Sequence, residues 1–212
     1  MMQQTVKQRR PLRAALLLGL CAAVIFQTTV LARQCEGVRQ SVLRLHVLAN
    51  SDNAADQLLK LRVRDRLLAD GAPLLAGAQN RDQAADLAKQ QTAALQALAA
   101  DELARAGSRL GVTCRVERAY FPTRVYGTVT LPAGEYTALR VVIGSGRGQN
   151  WWCVMFPPLC LPAACPPEDA PTVDSVLTDG EADLVQNGPR YRVRFKTVEW
   201  VEAALQALRD WL

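Results

Sequence analysis

Residues 112–156 read VTCRVERAYFPTRVYGTVTLPAGEYTALRVVIGSGRGQNWWCVMF, and this stretch decides the fold class. Val112, Cys114, Val116 and Tyr120 alternate with Thr113, Arg115 and Glu117, the period of a half-buried strand. Phe121-Pro122 interrupts that run. Two further strands are expected over Arg124–Leu131 and Glu135–Ile143, with Pro132-Ala133-Gly134 as the hairpin connection between them. Gly144 to Gly148 reads as a mobile hairpin loop leading into another strand over Gln149–Phe156. Its glycines lack the spacing of a dinucleotide fingerprint, and no Gly-Lys-Ser/Thr follows, so neither phosphate-gripping motif is present.

Upstream, Ser41–Ala49 (SVLRLHVLA) is short and rich in branched apolar residues, as a buried strand is. It ends in the turn-forming Asn50-Ser51-Asp52-Asn53. Asn53 with Asp56 approximates a capping box for a helix over Ala54–Ala69, punctuated by Gly71 and Pro73. A second helix is expected over Asp82–Ala106, with Leu87, Ala94, Leu95, Leu98 and Leu103 as its apolar stripe and Gly107 as its stop. Downstream, residues 161–189 are rich in Pro, Asp and Ala and read as an exposed connection. Arg190–Thr197 alternates again, and Val198–Leu212 suits a last amphipathic helix. The order implies an α+β fold: a single domain over 33–212, mostly antiparallel sheet with two central helices and a C-terminal helix, after an N-terminal signal or anchor helix.

That first segment, residues 1–32, has the three parts of an export signal. Lys7, Arg9, Arg10 and Arg13 form a basic cluster, and no acid occurs before Glu36. An apolar run over Ala14–Phe26 follows, and Val30 and Ala32 suit the positions before a cleavage point. Uncut, Ala14–Ala32 is just long enough to span a bilayer with its basic end held inside. Lipoprotein processing at Cys21 is disfavoured by the bulky Leu20. Of the 25 Lys and Arg residues four lie in this segment, and none of the 20 acids do, so the remainder carries 21 against 20. The net charge of +5 is therefore mainly a targeting feature, and nucleic-acid binding is excluded as an explanation of it.

Outside the cytoplasm thiols tend to pair. Cys153 and Cys160 flank two prolines that force a turn, so a small disulfide loop is expected there; Cys35, Cys114 and Cys165 stay unassigned. The cysteine spacings are too loose for a zinc site, and no metal or cofactor is expected. His46 is the single histidine. A dyad of Cys153 with His46, oriented by Asp52 or Asp56, competes with a structural histidine in an apolar strand, and the structural role is favoured. No Gly-x-Ser-x-Gly elbow exists, and the acidic pairs Asp52/Asp56 and Asp101/Glu102 are explained by capping and solvation.

The segments LRLHVLANSDN (43–53), FPTRVYG (121–127), LPAGEYTALRVVIGSGRGQNWWCVMFPPLC (131–160) and RVRFKTVEW (192–200) resemble the stage II sporulation protein R family. The resemblance covers about 42–160 and the C-terminal strand and helix start. It implies a protein made in the forespore of an endospore-forming bacterium and exported across the cytoplasmic membrane into the intermembrane space, where it is released or anchored. There it triggers a membrane-embedded aspartic protease that processes a mother-cell pro-sigma factor, so it is a signal and not an enzyme. On that basis Arg124, Tyr126, Asn150, Trp151 and Trp152 are expected to form the receptor-docking face, with the Cys153–Cys160 loop holding the aromatic strand in shape. The competing readings are a secreted cell-wall hydrolase using His46 and a carboxylate, and a wall-binding domain.

Overall fold

The computed structural model describes residues 4–126, 129–157 and 173–186. The chain divides into two compact units, residues 1–36 and 37–212. Helix α1 (Gln4–Ser41) begins in the first and runs through Ala32 without a break. Its segment Leu17–Ser41, with a mean hydropathy of 1.4, is long and apolar enough to cross a membrane. Leu17, Leu18, Leu20, Val24, Ile25 and Phe26 are all exposed. A helix apolar all round and unburied is stable in a low-dielectric surrounding, which fits a signal or anchor.

The second unit is α+β. Strand β1 (Leu43–Leu48), helices α2 (Ala54–Arg66), α3 (Arg81–Gln90) and α4 (Thr92–Arg105), and strands β2 (Val112–Phe121), β3 (Arg124–Tyr126), β4 (Val129–Leu131), β5 (Gly134–Ile143) and β6 (Asn150–Phe156) follow in order. Two short helices, α5 (Val173–Val176) and α6 (Asp179–Gln186), come after them. The main sheet has the order β2-β5-β1-β6. It is antiparallel except between β1 and β5, whose parallel pairing is reached by the crossover through α2, α3 and α4. Those helices cover one sheet face, where Leu43, Leu45 and Val47 meet Leu139, Leu95 and Leu103. Each such fully buried Leu contributes roughly 1.5–3 kcal/mol.

Where α2 begins, Asn53 Oδ1 accepts the Asp56 backbone N–H at 2.7 Å. The Asp56 carboxylate accepts from Ser51 Oγ at 2.6 Å, Asn50 Nδ2 at 2.8 Å and Asn53 Nδ2 at 3.0 Å. These hydrogen bonds, that of Ser51 foremost, hold the Asp56 carboxyl below the usual range. A carboxyl depressed in the fold stabilises it fully above its unfolded pKa, and that stability is lost as pH falls through the folded value. Asp56→Asn is therefore expected to lower the urea midpoint at pH 7, with the gap to wild type closing as pH is lowered towards 3.

The expected strand Arg124–Leu131 is instead two strands forming a separate small sheet, with Tyr126 opposite Val129. Pro132-Ala133-Gly134 then joins two sheets and is no hairpin turn. The expected helix 82–106 is split at Gln91, because the Thr92 hydroxyl bonds the carbonyls of Ala88 and Lys89 at 2.9 Å each and competes with the helix ladder. The connection 161–189 contains α5 and α6, with Leu184 and Val185 buried and α6 packed against β4. The strand and helix expected over 190–212 lie outside the described residues.

The glycine loop is also different from expectation. Strands β5 and β6 flank β1 on opposite sides, so residues 144–149 cross the end of β1 and are pinned to it. Ser145 N donates to Asn50 Oδ1 at 2.9 Å and Gly148 N to the Ala49 carbonyl at 2.9 Å. Gln149 N donates to Asp52 Oδ1 at 2.7 Å. A Cβ at Gly148 would run into the Ser51 carbonyl, so the close approach requires glycine.

Candidate functional site

The alternation of β1 sends Leu43, Leu45 and Val47 to the helical side and Arg44, His46 and Leu48 to the other. Sheet register carries the same division into β6. Cys153 and Trp151 lie opposite Leu45 and Val47, while Trp152 and Asn150 lie opposite His46 and Leu48. Neighbouring tryptophans thus face apart, as their strand setting implies. The Arg64 guanidinium of α2 stacks over Trp151 at 4.3 Å, on the helical side.

The far face is built around a buried arginine. Arg44 is 0% exposed, and its guanidinium carbon sits 4.2 Å from the Phe121 ring centre, 4.8 Å from that of Tyr136 and 5.5 Å from that of Tyr126. Its Nε donates to the Cys153 carbonyl at 2.8 Å and its Nη2 to the Tyr126 hydroxyl at 2.6 Å. Tyr126 in turn donates to the Trp152 carbonyl at 3.1 Å, which ties β3 to β6. Arg44 Nη1 has no hydrogen-bond partner, and no carboxylate pairs with the cation among the described residues. Burial presses the Arg44 pKa down from its ordinary value, with the two tyrosines acting in the opposite direction. An arginine starts so far above neutrality that it stays charged.

His46 stacks on Trp152 at 5.7 Å with 17° between the planes, and meets Phe121 edge-on at 5.7 Å. Its Nε2 bonds Asn150 Oδ1 at 2.9 Å, and Nδ1 has no partner. Burial lowers its pKa, so the ring is neutral at pH 7. On the outer side of Trp152 the Arg124 guanidinium stacks at 4.2 Å. The result is a continuous series, Arg124–Trp152–His46–Phe121–Arg44, in which cations lie on ring faces where the quadrupole attracts them.

Of the residues expected to form one face, Arg124, Tyr126, Asn150 and Trp152 come together. Trp151 does not, because it lies on the helical side. Arg44, Phe121 and Tyr136 were not singled out by sequence reasoning, and for His46 a structural role was favoured over a catalytic one without being placed on this face. The available signal was the polar set Arg44/His46 at alternate positions of an otherwise apolar strand. His46 and Cys153 lie on opposite faces, and Cys153 is disulfide-bonded, so they cannot act as a nucleophile–base pair. The expected partner of Cys153, Cys160, lies outside the described residues. Cys114 is a buried thiol whose pKa burial pushes up to about 12, which makes it inert as a nucleophile.

A family model described as stage II sporulation protein R matches residues 39–165, a span containing every residue of this face. The stage II sporulation protein R of Bacillus subtilis (strain 168) is 33% identical over 123 residues, 58% of this chain and 55% of that protein. The chain thus matches about half the length of that curated relative. No solved structure matches.

Proposed function

The chain belongs to the stage II sporulation protein R family, and on that premise we propose that it is an exported sporulation signal which activates a membrane-embedded aspartic protease, so that the protease processes a mother-cell pro-sigma factor. The observation that carries the reading is the family match over residues 39–165, joined to an N-terminal helix with a basic start and an apolar run long enough to cross a bilayer. A signal needs a stable recognition surface and no reacting group. The Arg124–Trp152–His46 stack is such a surface, since its side chains are held by ring contacts and by the Tyr126 and Asn150 hydrogen bonds. Binding at that face activates the protease to the extent that its active arrangement is bound more tightly than its resting one.

The hydrolase reading loses support at His46. Its Nε2 is taken by an amide and its ring lies between two aromatic rings, so a carboxylate does not orient it. The test is co-expression of the protease and its pro-sigma substrate with and without this chain, reading processing by immunoblot. Processing is expected only when the chain is present and exported. Equal processing without it would overturn the proposal.

A further inference from the structure

Register places a row of side chains across the whole main sheet on the far face. Arg115 of β2 lies opposite Arg140 of β5, Arg140 lies beside His46 of β1, and His46 lies beside Trp152 of β6. Arg124 closes the row by stacking on Trp152. With strands about 4.8 Å apart, Arg115 to Trp152 spans roughly 14 Å. Like charges directly opposite on neighbouring strands cost stability. Here Glu117 accepts from Arg140 at 2.9 Å, while among the described residues Arg115 and Arg124 have no carboxylate within ion-pair distance. Arg44 adds a further cation beneath the row, with no carboxylate partner among the described residues. The row is open to a partner: Arg115 and Asn150 are exposed, the Arg140 side chain is 40% exposed, and Trp152 and Arg124 are half-buried.

We propose that this strip, Arg115–Arg140–Trp152–Arg124, is the docking site for an acidic peptide segment of the protein partner. The inference rests on the signalling reading and supplies the chemistry of its contact. Charge complementarity carries it. An extended acidic segment laid across the strands would meet Arg115 and Arg140 at one end and Arg124, held in place on the Trp152 ring, at the other. Guanidinium forks take carboxylates with two parallel hydrogen bonds. Arg44 and His46 are positioning residues here, since they fix the Trp152 and Tyr126 planes from below.

The probe is an acetylated, amidated hexapeptide with Glu at alternate positions, together with its Gln twin. Each is titrated against the full chain in neutral detergent, with tryptophan fluorescence as the signal. The Glu peptide is expected to bind saturably, roughly tenfold more tightly than the Gln twin, and to be released by added salt. Arg124→Gln and Arg115→Gln are each expected to weaken it roughly tenfold with unchanged circular dichroism, and Arg124→Lys to weaken it less than Arg124→Gln, because the charge is kept while the fork and its stacking on Trp152 are lost. Equal binding of the two peptides, or wild-type binding by the Gln variants, overturns the inference. In the co-expression assay, normal processing with Arg115→Glu would likewise sink the acidic strip and leave the signalling reading standing. Failure of the wild-type chain to stimulate processing would sink that reading without touching the peptide result.

Discussion

Arg44→Ala is expected to destabilise the fold by about 3 kcal/mol or more, whereas Arg44→Met is expected to stay within about 1 kcal/mol of wild type. The alanine leaves a cavity among Phe121, Tyr126 and Tyr136 and removes the donor to the Cys153 carbonyl. Cavity formation and an unpaired buried acceptor act in the same direction. Methionine refills the volume and removes a buried cation that no carboxylate among the described residues compensates. Desolvating a charge costs several kcal/mol, and three ring contacts with two hydrogen bonds offset that cost without much surplus. For a chain of this size the alanine effect corresponds to a fall in Tm of roughly 6–12 °C, measurable by thermal denaturation. Equal losses in both variants would show that the charge itself holds the cage together.

Deleting residues 1–32 is expected to abolish pro-sigma processing in the co-expression assay, down to the level seen without the chain. The remaining body carries 21 cations and 20 acids and has no other helix, among the described residues, long and apolar enough to enter a bilayer. Such a body stays on the side of the membrane where it is made. An unrelated signal sequence in place of residues 1–32 should restore processing if the segment acts by delivery, since the proposed recognition face lies wholly within 44–152. Restoration would also separate lost export from a folding defect. Processing by the truncated chain without any signal sequence would contradict an encounter outside the cytoplasm.

Features governed by local rules were legible in the sequence. Four of the six β1 residues are apolar, and β1 forms within the expected 41–49 with every residue buried. Asn53 and Asp56 cap α2 through short-range hydrogen bonds that depend on three-residue spacing alone. Opposite facing of Trp151 and Trp152 follows from strand geometry, although grouping both on one docking face overlooked that consequence. The break at Gln91 was missed because Ala and Gln runs favour continuous helix, and the competing Thr92 hydroxyl bonds are a weak local signal.

Strand order was not legible. Whether β5 and β6 pair with each other or on either side of β1 depends on contacts between segments about 90–110 residues apart, to which a two-residue period is indifferent. The glycine loop therefore read as a mobile hairpin and is a pinned crossing.

By itself the sequence determined the apolar N-terminal segment with its basic start, the near-neutral body, the α+β class and the family, since each rests on composition, short-range periodicity or an unbroken motif. Only the tertiary structure decided which residues act together. Arg44 in a strand looks the same in sequence whether it faces water or three aromatic rings, because burial is set by what packs against it. The row Arg115–Arg140–His46–Trp152 exists only through register, which aligns single residues from four separate strands.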